Sequence, residues 1–159
     1  MREIKFRFFG KNDEFPEGKM YMPGDLPIVL NMFGDPIHAP SGNSIEKCCF
    51  ARVGWNDSTV MQYTGLKDKN GVEIYEGDIV AHISTRRAGY QKDGDMIYKK
   101  IVFGKTNTDM SDLTDYIGFW ATRLNDDDIE SGGSIEYQVA SHGAIVIGNI
   151  HSNPELLES

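Results

Sequence analysis

Between Met61 and Val80 the chain reads MQYTGLKDKNGVEIYEGDIV, and this stretch restricts the fold most because it alternates turn signals with apolar anchors. Asp68-Lys69-Asn70-Gly71 is a turn sequence: Asn and Gly both tolerate positive φ, and the pair suits the turns that join antiparallel strands. Gly65 and Gly77 are further positions where a side chain would meet the steric barrier to positive φ that glycine escapes. Ile74-Tyr75 is an apolar pair, and Ile79-Val80 followed by Ile83 opens a β-branched run of the buried-strand type. Asp78 stands at the entry to that run, where its carboxylate is placed to accept backbone N–H groups as the chain reverses. Gly65, Asn70, Gly71, Gly77 and Asp78 therefore read as a structural motif, scaffold rather than chemistry.

The rest of the chain is organised to match. Glu3 to Phe8 alternates polar and apolar residues, which predicts a strand with Ile4, Phe6 and Phe8 on a buried face and Lys5 and Arg7 in water. From Gly10 to Gly42 lie five of the six prolines, a density that breaks helices and leaves room only for short strands at Lys19 to Met22 and Ile28 to Met32. Ile45 to Val53 reads as a strand. After Ile83, the polar Ser84 to Asp95 reads as a long exposed hairpin loop, a place where function is often carried. Tyr98 to Phe103 and Ile117 to Leu124 are expected strands, and Asn125 to Gly133 an acidic, Gly-rich connection. Glu136 to Ala140 and Ala144 to Ile150 read as an antiparallel pair joined near His142-Gly143. At the end, Asn153-Pro154 starts a short helical turn that Leu156 and Leu157 dock.

TGLKDKNGVEIYEGDIV, with the opening MREIKFRFF and the closing VIGNIHSNPELLE, resembles the YopX family of phage and prophage proteins. The central motif is long and specific; residues 10 to 60 and 84 to 143 match less well, and Phe9-Gly10 stands where the family pattern has a Trp-Asp type pair. The resemblance implies an SH3-like barrel in the C-terminal part and an origin in mobile elements or gut-type bacterial genomes, and it implies no established activity. The fold expectation is thus mainly β, α+β at most: a loop-rich N-terminal β region over residues 1–60, then an SH3-type barrel with a terminal helical turn over residues 61–159.

Charge and composition narrow the function. With 40% hydrophobic residues the chain is able to bury a core, and its net charge of −8 opposes tight, sequence-independent binding to bare DNA, which draws on clustered Lys and Arg. It has no run of about 18 apolar residues, and Met1-Arg2-Glu3 leads into a strand rather than an apolar signal core, so a cytoplasmic location and no membrane partner are expected. Cys48 and Cys49 are adjacent, which fits neither a zinc knuckle nor a disulfide framework. His38, His82, His142 and His151 lack ligand spacing. No phosphate loop, GxSxG elbow or metal motif occurs, so no catalytic, cofactor or metal residue is assigned and no cofactor is expected.

Two functions stand side by side. One is a non-enzymatic module that binds another protein through loops and exposed aromatics, with Arg86, Arg87, Tyr90 and Trp120 as contact candidates; core packing is the competing reading of Trp120. Self-association is left open. The other is a metal-assisted phosphoester hydrolase using Asp109, Asp112 or the Asp126 to Asp128 run, since acidic clusters hold Mg²⁺ beside phosphate. The first is preferred because these carboxylates have no partnering base in the sequence.

Overall fold

Antiparallel pairing of branched and aromatic residues dominates the computed structural model, which describes residues 3–11, 13, 15–23, 25, 28–30, 36–38, 57–84, 94–106, 116–124 and 133–158. The protein is mainly β. Its chain divides into two units, Lys5–Gln62 and Met1–Ile4 with Tyr63–Ser159.

In the first unit, β1 (Phe6–Lys11) pairs with β2 (Lys19–Tyr21), and β3 (Ile28–Leu30) pairs with β4 (Pro36–His38). The opening half of β5 (Asp57–Lys67) runs along the other side of β1, so that Phe8 faces Tyr21 on one side and Val60 on the other. Simple alternation fails in β1. Arg7 is only 7% exposed and Phe8 and Phe9 are both buried, whereas Phe6 is 41% and Ile4 70% exposed. A period of two marks burial only when one face of a strand is wet, and β1 is covered on both. Phe8 stacks on Tyr21 with ring centroids 6.0 Å apart; on the opposite face, the Phe9 ring fills the place a Cβ of Gly18 would occupy. The expected strand from Ile45 to Val53, with Cys48 and Cys49, lies outside the described residues.

In the second unit, the closing half of β5 pairs with β6 (Glu73–Tyr75), and the register shifts between Tyr63 and Lys67. Gly65, at φ 87°, sits within that irregularity. The chain then forms β7 (Asp78–Ile83), β8 (Met96–Thr106), β9 (Tyr116–Arg123), β10 (Gly133–Ser134), α1 (Ile135–His142) and β11 (Ile145–Asn149). The five strands make one antiparallel sheet in the order β10-β9-β8-β7-β11. An SH3-like closure of this sheet is implied by the resemblance alone.

Residues 136–140, expected as a strand, are helical. Tyr137 and Val139 alternate with Glu136 and Gln138, which imitates a strand, yet Ile135, Gln138, Val139 and His142 recur at the helical spacing i, i+3, i+4, i+7. Gly143 decides between the two periods. At φ 60° it caps the helix, its N–H donating to the Val139 carbonyl at 3.1 Å. Freed from that pairing, β11 lies antiparallel to β7, Val146 opposite Val80. α1 packs on β9, β10 and β7, and Ile135 and Ala144 join Ile74, Val80, Ile101, Phe119 and Ala121 in the core.

Candidate functional site

Asp68, six per cent exposed, is the hub of the Asp68–Gly71 turn. Its Oδ1 accepts the N–H groups of Asn70 at 2.8 Å and Val72 at 2.9 Å, while Oδ2 accepts that of Val146 in β11 at 3.0 Å. Burial pushes this carboxyl up, but the backbone donors of Val146, Val72, Asn70 and Gly71 together outweigh burial and hold it below its ordinary value. Gly71 supplies the positive φ, 86°, that closes the turn.

Asp78 does the equivalent at the next turn. Its carboxylate accepts the Tyr75 N–H at 2.8 Å and the Asn149 side-chain amide at 3.4 Å. Asn149 in turn accepts the His151 N–H at 2.9 Å and donates its own N–H to Asn153 Oδ1 at 3.3 Å. Between them Gly77, at φ 76°, donates to the Ile101 carbonyl at 2.8 Å and accepts from Ile150 at 2.9 Å. The terminal residues form a 3-10 turn, Pro154–Glu158, whose Leu156 lies where a Cβ of Gly148 would stand. The central and closing sequence motifs are therefore one hydrogen-bonded assembly.

Titratable groups gather at the other end of the sheet. In register, Lys99 of β8 stands between Val80 of β7 and Arg123 of β9. His82, two residues beyond Val80, shares that face and stacks on His142 at the end of α1, ring centroids 4.8 Å apart and 21° from parallel. Burial, reinforced by His142 and Lys99, holds the His82 imidazole below its ordinary value; the Ile83 carbonyl, 3.4 Å from Nδ1, works the other way. Among the described residues Nε2 of His82 is buried with no hydrogen-bond partner. Lys99 is pushed down first by burial and then by Arg123, and its Nζ donates to the Ala121 carbonyl at 3.4 Å.

Of the contact candidates, Trp120 is half-buried on β9 and its indole N–H donates to the Gly104 carbonyl at 3.3 Å. Arg86, Arg87 and Tyr90, like Asp109, Asp112 and Asp126 to Asp128, lie outside the described residues. Among the described residues no group of three or more His, Cys, Asp or Glu comes together as a metal-binding set, and no helix is long and apolar enough to cross a membrane. The Lys99–Arg123–His82–His142 cluster was not singled out by sequence reasoning. Its members are far apart in sequence, and only strand register and the helix at 135–142 unite them; the Gly143 stop signal was the clue.

Fold and motif together define a small antiparallel-sheet protein whose recognisable residues maintain its turns. The family model described as YopX protein matches residues 5–158, and the chain belongs to that family. Among solved structures it is similar to protein EF1440 from Enterococcus faecalis, with a TM-score of 0.54, 23% identity and 99% of each chain covered, a likeness of fold. No curated protein matches the sequence.

Proposed function

We propose that this chain is a phage- or prophage-type binding module that works in the bacterial cytoplasm by holding another protein, without turning over a substrate. The observation that carries this reading is an apolar patch where the β7–β8 hairpin opens. Ile83 is 55% and Met96 51% exposed, the two are register partners, and Tyr98, also exposed, follows Met96 on the same face. Scattered exposed apolar residues need no explanation, but grouped ones mark interaction sites. Ile83 and Met96 border the Ser84 to Asp95 segment, which with Asn125 to Gly133 is one of the two polar stretches expected to carry specificity, so anchor and loop would act together.

Affinity capture from host lysate tests the reading, with the intact protein compared against Met96→Ser/Tyr98→Ser and a variant shortened between residues 84 and 95. A specific protein recovered with the intact chain and lost with both variants is the expected result. The same partner retained by both variants would overturn it. So would metal-dependent phosphoester hydrolysis abolished by Asp112→Ala.

A further inference from the structure

We propose that Lys99 and Arg123, flanked by His82, form a binding site for a small tetrahedral oxyanion, inorganic phosphate or a phosphate monoester. This goes beyond the protein-binding reading and rests on different residues.

Two cations stand side by side on this face of the sheet. Lys99 and Arg123 are direct cross-strand partners, and like charges in that position repel. Lys99 is half-buried as well, so its ammonium has lost some of its hydration. Acidic residues outnumber basic ones in this chain, 24 to 16, yet among the described residues no carboxylate relieves Lys99; burial and Arg123 both act against its charge. The C-terminal end of α1, which places His142 against His82, supplies at most about half a negative charge. Among the described residues this leaves the cationic pair without a full counter-charge at the half-buried Lys99.

An oxyanion matches them. The Arg123 guanidinium is exposed and presents a planar fork that takes two oxygens at once, and Lys99 adds a point charge beside it. Size follows from the field of the whole chain. Screening at physiological salt confines interactions to about 8 Å, so a single phosphate meets mainly the local cations, whereas a nucleic acid extends over a surface whose net charge is −8.

The probe is sodium phosphate, titrated into isotopically labelled full-length protein at ionic strength held constant with sodium chloride, and read by NMR. Saturable shifts confined to Lys99, Arg123, His82, His142 and their neighbours are expected. Arg123→Gln, at an exposed position that leaves folding intact, should weaken binding by about tenfold or more, as should Lys99→Met. Lys100→Gln, on the opposite face of β8, should leave it unchanged. Shifts that never saturate, that scatter over the surface, or that persist in Arg123→Gln would overturn the site. A single-stranded oligodeoxynucleotide that perturbs the same residues at lower concentration than phosphate would overturn the assignment to a small ligand.

Discussion

At the scale of single residues, Gly71 and Gly77 separate two reasons for which a glycine is required. Both have φ in the left-handed region, 86° and 76°. Around Gly71 a Cβ would find open space, but at Gly77 it would stand 3.2 Å from Asn149 Nδ2 and 3.4 Å from Ile150 Cγ1. Gly71→Val should therefore cost backbone strain alone, about 1–2 kcal/mol. Gly77→Val should cost more, because it also wedges apart the joint between the central motif and the chain's end. Urea unfolding of the two variants checks the order; equal losses would show that the Asn149–Ile150 contact carries no weight. These glycines were legible in sequence because their requirement is local. Asp68 was legible only as a turn residue: its bond to Val146 spans 78 positions, and nothing in a turn signature reports a partner that distant.

At the scale of elements, strand existence was legible and strand environment was not. β7, β8 and β9 fall where β-branched and aromatic runs predict them, since such residues suit a pleated, buried surface. β1 was found too, but with Arg7 buried, because alternation assumes a wet face. The α1 segment was misread since two periods compete within eight residues. That helix now makes a pH prediction. His82 of β7 is buried against His142 of α1, and the charged side chain acting on it, Lys99, is a cation. An imidazolium would also need a second acceptor, and among the described residues Nε2 has none. The folded pKa accordingly lies below the ordinary 6.5. Above that value both folded and unfolded states are neutral and nothing is lost. As pH falls through it the unfolded chain takes up a proton that the folded chain refuses, so this group's contribution declines until the folded pKa is passed. His82→Phe, which keeps a ring against His142, should lose less stability than the parent between about pH 7.5 and about pH 5. Denaturant midpoints at the two pH values measure it. Parallel declines would place the pH sensitivity elsewhere.

At the scale of the whole molecule, charge and topology together argue against DNA. A nucleic-acid surface needs Lys and Arg gathered on one side, and in sequence Arg86, Arg87, Lys99, Lys100 and Lys105 are the nearest approach to such a group. Strand geometry divides it. Successive side chains in β8 point to opposite faces, so Lys99 shares the face of Val80 and Arg123 while Lys100 shares that of Ile79 and Thr122. Among the described residues of these strands, register thus separates Lys99 and Arg123 from Lys100 rather than gathering them on one face to displace counterions from a phosphate backbone, and the net charge of −8 repels the polymer at longer range. Duplex DNA should therefore bind more weakly than about 10 µM at physiological salt, with a shallow dependence on salt concentration. Fluorescence anisotropy across a salt series is the measurement. A submicromolar dissociation constant with a steep salt slope would mean that the chain gathers its cations in a way that the register of β7, β8 and β9 does not produce. Lys100→Gln and Arg123→Gln, one from each face, would then identify which side of the sheet is responsible.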